Sequence, residues 1–126
     1  MITQIGLHTV VVKDLGKALK FYRDTLGLRV AFYSRKLKWL TFDCGHRDVL
    51  SLTVPWNKQS KKLVGARTGI SFFVDDIEKT YRELKQQKVR FHLAPRKEKW
   101  GGVLANFADP DGNRFFLLQM PSDFKP

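Results

Sequence analysis

The sequence feature that most constrains the fold is an order of strand and helix patterns that occurs twice along the 126 residues. An apolar, β-branched run from Thr3 to Val12 predicts a strand, and Asp14 follows it as a helix cap. The same strand-to-helix junction recurs about half a chain later as Val74-Asp75-Asp76-Ile77. A repeat of this length predicts two copies of one supersecondary module.

The pattern of the first copy predicts one helix between strands. Apolar residues recur at helical spacing from Leu15 to Leu26, and Gly27 is a typical helix terminator. Three further strands are predicted over Leu28–Ser34, Lys38–Cys44 and Val49–Val54.

The second copy repeats this order. Asp75 or Asp76 caps a helix whose apolar stripe is Ile77, Tyr81 and Leu84. Proline and glycine in the segment 109–113 favour a hairpin turn. Strands are predicted over Gly69–Val74, Val89–Ala94, Val103–Ala108 and Arg114–Met120.

The predicted fold class is therefore α+β, with two βαβββ modules. We expect a single domain over residues 1–126, since this length is enough to bury one core. Within it, we expect a first module at 1–55, a linker at 56–67 and a second module at 68–121.

The composition indicates which binding partners and which cellular location to expect. The chain has 23 Lys and Arg against 12 Asp and Glu, a net charge of +11, which attracts anionic partners. A nucleic-acid partner is not expected, because no zinc-finger, helix-turn-helix or RNA-binding signature accompanies the charge. We expect no membrane partner and a cytoplasmic location, since the sequence lacks a long apolar run and a secretion signal and Cys44 is its one cysteine.

Four short sequence motifs occur in a fixed order along the chain. They are Val12-Lys13-Asp14 leading into Ala18–Asp24 and Leu26-Gly27-Leu28, then Phe73–Ile77, then Trp100-Gly101-Gly102, and finally the turn Asp109–Asn113. In this order they resemble the vicinal oxygen chelate superfamily, which includes glyoxalase I, extradiol dioxygenases and bleomycin-resistance proteins. The resemblance implies two βαβββ modules whose curved mixed sheets enclose a cleft, and a homodimer.

The resemblance also implies where a divalent metal would bind, and the residues there are not metal ligands. The closest match is therefore the metal-free, bleomycin-resistance-like branch, with no cofactor. His8 is adjacent to the first ligand position, but strand alternation turns it to the opposite face. The four implied positions are Leu7, Leu50 (or Ser51 if the register slips by one), Gly69 and Phe116.

The function expected is a small-molecule-binding protein that holds an aromatic or anionic ligand in an apolar cleft. The candidate ligand-binding residues are five aromatic residues, whose flat rings can pack against a ligand, and one arginine that lies on the same strand face as Phe116. They are Trp39, Trp56, Phe73, Trp100, Arg114 and Phe116.

Two alternatives stay open. One is a metal-dependent, glyoxalase-like lyase or dioxygenase that recruits ligands such as His8, His46 or Asp48. The other is a basic module that binds nucleic acid or a protein partner. Whether the protein is an enzyme is left open, and no catalytic residues are assigned because no nucleophile–base pair occurs at a recognisable spacing.

Overall fold

The computed structural model describes residues 1–124 and contains two compact units, the first at Met1–Ala66 and the second beginning at Arg67. Each unit has the βαβββ order and one four-stranded mixed sheet. The α+β class and the two βαβββ modules predicted from the sequence are therefore confirmed. No helix within residues 1–124 is long and apolar enough to span a bilayer.

The first unit has the sheet order β1-β4-β3-β2, with β1 parallel to β4 and the other pairs antiparallel. Its helix begins as an α-helix, α1, and continues as a π-helix over Lys20–Thr25; a 3₁₀ turn at Ser60–Leu63 follows the sheet. The bounds are β1 His8–Val11, α1 Leu15–Leu19, β2 Arg29–Ser34, β3 Trp39–Asp43 and β4 Val49–Thr53.

The second unit repeats the arrangement with the order β5-β8-β7-β6, in which β5 is parallel to β8. The bounds are β5 Arg67–Phe73, α2 Ile77–Gln86, β6 Arg90–Lys97, β7 Val103–Ala108 and β8 Arg114–Gln119.

The first predicted strand is wrong in length. It was expected over Thr3–Val12, but β1 covers only His8–Val11. The partner strand β4 begins at Val49, one residue before the partner of His8, so residues 3–6 have no partner on this strand. Strand propensity without a neighbour to bond does not make a strand.

One continuous helix was expected after β1, but the structure shows an α-helix that continues as a π-helix. Asp14 caps it as predicted, its side chain accepting a hydrogen bond from the Lys17 N–H at 3.0 Å. Further along, the Leu26 N–H donates to the Phe21 carbonyl five residues back, and Gly27 then ends the turn with a φ of 77°. Tyr22 lies within this wider turn, is fully buried and stacks on Phe42 with ring centroids 5.8 Å apart.

The edges of the second sheet also differ from the prediction. Strand β5 begins at Arg67, which was expected in the linker, and β6 runs to Lys97 instead of stopping at Ala94. Register shifts within β6 absorb Pro95, because a proline is tolerated on an edge strand next to an irregularity. The strands predicted at 28–34, 38–44, 49–54, 103–108 and 114–120 are observed to within one residue.

One face of the second sheet packs against α2 and forms the core of this unit. Phe107 is fully buried there, with ring contacts to Phe72, Phe91 and Phe115. Tyr81 of α2 meets Phe91 edge-on at 4.7 Å. Because side chains alternate along a strand, the residues between these aromatics lie on the opposite side, which we call the open face.

Candidate ligand-binding site

The second unit carries a cavity of about 250 Å³ on the open face of its sheet. We call it the basic cavity. Its principal lining residues are Arg67, Gly69, His92, Asn106, Arg114 and Phe116.

Strand register places the floor of the basic cavity in one row across the sheet. Phe116 pairs with Ser71 on one side and with Asn106 on the other, and Asn106 pairs with Leu93. An aromatic ring, an amide and an aliphatic side chain therefore lie next to one another on one face.

The neighbouring row carries the positive charge. Arg67 pairs with Arg114, Arg114 pairs with Ala108, and Ala108 pairs with Arg90 at the sheet edge. Like charges directly opposite each other in a sheet are destabilising. None of the ion pairs among residues 1–124 includes Arg67, Arg90 or Arg114, so no carboxylate offsets this repulsion there.

A bulge at Gly69 brings Arg67 opposite Arg114. The pairing of β5 with β8 shifts between Arg67 and Ser71, and Gly69 has a φ of 71° that favours glycine. The Thr68 hydroxyl fixes the bulge by donating to the Arg114 carbonyl at 2.7 Å and accepting from the Ile70 N–H at 3.1 Å. A Cβ at Gly69 would meet nothing within 4 Å, so the missing side chain leaves this side of the cavity open.

Asn106 presents a hydrogen-bond acceptor with no partner in the described chain. Its Oδ1 is buried and accepts no hydrogen bond from residues 1–124. A buried polar atom without a partner costs free energy, about 1–3 kcal/mol. Asn106 lines the basic cavity, so a ligand there can supply the missing donor.

The electrostatics of the cavity favour anions. Desolvation and then the positive charges of Arg114, Arg90 and Arg67 lower the pKa of His92 from its ordinary value of 6.5. The imidazole is therefore mainly neutral at pH 7.

The register of the first sheet decides between the two candidates for the second metal-ligand position. Ser51 pairs with Thr9, whereas Leu50 pairs with His8 and is buried in the core. Ser51 thus corresponds to Phe116, which pairs with Ser71 in the second unit. The Ser51 hydroxyl accepts a hydrogen bond from Trp39 Nε1 at 2.6 Å.

These positions do not fit a divalent metal. Leu7, Gly69 and Phe116 have no donor atom in their side chains, and the last two lie in a cavity with two arginines. His8 lies on the face of Leu50, as alternation predicts, and its Nε2 is 3.9 Å from Asp48 Oδ1. Among residues 1–124, no three His, Cys, Asp or Glu side chains come together as a metal site.

The structure brings together two of the six predicted ligand-binding residues. Arg114 and Phe116 both line the basic cavity, two residues apart on the same face of β8. Alternation along one strand was enough to predict this pair.

The other four candidates do not line this cavity. Trp39 lies in the first unit, where it contacts Phe32 and donates to Ser51. The remaining three are more than half exposed: Trp56 after β4, Phe73 at the end of β5 and Trp100 between β6 and β7.

Five residues that line the cavity were not predicted: Arg67, Thr68, His92, Leu93 and Asn106. Asn106 could have been identified from the sequence, because it is the only polar residue in the apolar strand Val103–Ala108. Arg67 was assigned to the linker, and His92 is the unpaired residue of a bulge between Phe91 and Leu93. Bulges leave no clear mark in the sequence, so neither residue could be placed by counting.

Two βαβββ units, with a cavity on the sheet face away from the helix, define a glyoxalase-like class of protein. The model of the family "Glyoxalase/Bleomycin resistance protein/Dioxygenase superfamily" matches residues 4–117. The chain belongs to this superfamily.

Solved structures and curated proteins include full-length relatives. A superfamily member from Sphaerobacter thermophilus DSM 20745 is 34% identical with a TM-score of 0.83, over 94% of this chain and 98% of that one. TnmS3, an antibiotic binding protein from Streptomyces sp. CB03234, is 30% identical with a TM-score of 0.81, over 96% and 98%. A probable lactoylglutathione lyase of Synechocystis sp. is 32% identical over 125 residues, 92% of this chain and 95% of that protein.

Proposed function

We propose that this protein binds a small aromatic or anionic molecule in the basic cavity and does so without a metal. The observation that carries the proposal is the cross-strand pair Arg67 and Arg114, which has no carboxylate partner in the described chain and lies beside Phe116.

The charges of the cavity match an acid. A bound carboxylate or phosphate relieves the repulsion between the two arginines and accepts strong, charge-assisted hydrogen bonds from them. Phe116 offers an apolar ring against which a planar ligand packs. The similarity to an antibiotic binding protein supports binding as the role of the cavity.

A metal-dependent lyase is the second candidate, since a relative at 32% identity is named a probable lactoylglutathione lyase. The side chains argue against it for this chain. A divalent cation at Gly69 and Phe116 would gain no anionic ligand from them and would lie beside two guanidinium groups. The homodimer, the cytoplasmic location and roles for Trp39, Trp56, Phe73 and Trp100 stay predictions.

The proposal predicts binding that is independent of metal. Protein purified without chelator is expected to hold far less than one transition-metal ion per chain by elemental analysis. Benzoate, as a simple aromatic acid, is expected to bind with the same Kd before and after treatment with a chelator, as measured by calorimetry.

The binding site is tested by one pair of variants. Arg114→Gln is expected to weaken benzoate binding about tenfold, because a charged hydrogen bond is lost. Arg82→Gln, which removes the same charge from an exposed position on α2, is the control and is expected to leave the Kd unchanged. A stoichiometric metal, or a benzoate affinity lost on chelation, would contradict the proposal.

A further inference from the structure

We propose that the ligand of the basic cavity is a small planar acid with an N–H or O–H donor at its far end. Arg67 and Arg114 bind the acidic group, and Asn106 Oδ1 accepts from the donor. This inference rests on the proposed function and adds the chemical class of the ligand.

The acidic end follows from the register of the arginines. Arg67 and Arg114 are direct cross-strand partners, so their side chains leave the sheet next to each other. Guanidinium groups bind planar oxyanions through paired N–H donors, and carboxylates match this geometry.

The donor at the other end follows from Asn106. Its Oδ1 is buried and accepts no hydrogen bond in the described chain, and the residue lines the cavity. A site with a buried acceptor discriminates strongly against a ligand that lacks the matching donor, because the acceptor then stays without a hydrogen bond.

The sheet sets the spacing of the residues proposed to bind the two ends. Asn106 pairs with Phe116, and Arg114 lies two residues before Phe116 on β8. Two residues of a strand span about 7 Å, so the backbone positions of Arg114 and Asn106 are about one strand repeat apart along the sheet. Phe116 lies on the same face and Leu93 lies opposite Asn106, which favours a flat, apolar body between the two ends.

The size of the cavity limits the ligand further. A volume of about 250 Å³ suits a compound with one ring and is smaller than the cavities that usually hold drug-sized molecules. A benzoate with a hydroxyl in the para position combines the acid, the ring and a distant donor, and it serves as the probe for this class.

The test compares probes on the unmodified protein by calorimetry. We expect 4-hydroxybenzoate to bind about tenfold more tightly than benzoate, because its hydroxyl pairs with Asn106 Oδ1. The amide 4-hydroxybenzamide lacks the negative charge and is expected to bind about tenfold more weakly than 4-hydroxybenzoate.

Two variants test the contacts at the two ends of the ligand separately. Asn106→Leu is expected to bind benzoate and 4-hydroxybenzoate with equal affinity, because the acceptor for the hydroxyl group is gone. Arg114→Gln is expected to weaken both acids about tenfold and to preserve their ratio.

Proton uptake reports independently where the acid binds. An anion beside Arg67 and Arg114 offsets the positive charges that, with Arg90 and desolvation, lower the pKa of His92. Binding at pH 6.5 is therefore expected to take up a fraction of a proton, measured in two buffers of different ionisation enthalpy. His92→Gln is expected to abolish the uptake.

The outcomes distinguish this inference from the proposed function. Equal affinities for benzoate and 4-hydroxybenzoate would overturn the role of Asn106 and leave acid binding intact. Acid binding that Arg114→Gln leaves unchanged would overturn the placement of the acid at the arginines. No binding of any of the probes would overturn this inference together with the proposed function.

Discussion

Replacing Phe107 with alanine is expected to lower the free energy of unfolding by about 4 kcal/mol, as for other fully buried phenylalanines. Phe107 is 0% exposed on the α2 side of the second sheet. Its ring centroid lies 5.6 Å from that of Phe115, 5.9 Å from that of Phe91 and 6.3 Å from that of Phe72. The substitution leaves a cavity where three aromatic rings meet, and a sheet cannot close over such a gap.

The matched control is Phe73→Ala. Phe73 is 62% exposed, and its ring approaches that of Phe124 edge-on at 6.2 Å. Its loss is expected to cost less than about 1 kcal/mol. Urea unfolding followed by circular dichroism measures both variants, and equal losses would contradict the assignment of Phe107 to the core.

Asp109→Ala is expected to cost about 3 kcal/mol, because it removes charged acceptors from a buried turn. Asp109 is 2% exposed and Asn113 is 0% exposed. One carboxylate oxygen accepts from the N–H groups of Asp111 at 2.9 Å and Asn113 at 2.8 Å, and the other accepts from Asn113 Nδ2 at 2.9 Å. Arg114 follows this turn directly, so the variant is also expected to weaken the binding of benzoate.

Asp123→Ala controls for the loss of a negative charge from the same unit. Asp123 is exposed after the last strand, and its removal is expected to change stability by less than about 0.5 kcal/mol. The same urea titration serves as the measurement. A loss for Asp109→Ala no larger than that of Asp123→Ala would show that the carboxylate does not hold the turn.

Much of the fold was predictable because its signals are local. Asp14 and Asp76 each accept from the N–H three residues on, as helix caps do. The turn at 109–113 contains its own proline, glycine and acidic side chain. Since both modules carry such signals in the same order, the βαβββ repeat could be derived without the structure.

The predictions that were wrong concern features that depend on residues distant in sequence. The length of β1 is limited by β4, about forty residues away, as the parallel register shows. The first helix widens into a π-helix, and no residue in Lys20–Thr25 is a known signal for it. Sequence pattern predicts which residues are apolar, but it does not predict how two strands are aligned.

The candidate site, like the fold, could be predicted only where its residues lie close together in sequence. Arg114 and Phe116 lie on one strand, so counting by two placed them together. Their partnership with Arg67 depends on the bulge at Gly69, and the one with Asn106 on the register between β7 and β8. The choice between Leu50 and Ser51 also needed the register, because a slip of one residue reverses the face.

The central claim is that acids bind on the open face of the second sheet without a metal. The most direct test is to follow the backbone amide signals of chelator-treated, isotope-labelled protein by NMR while benzoate is added. We predict saturable shifts at Arg67, Asn106, Arg114 and Phe116. Shifts confined to the first unit, or shifts that appear only after a divalent metal is restored, would contradict the claim.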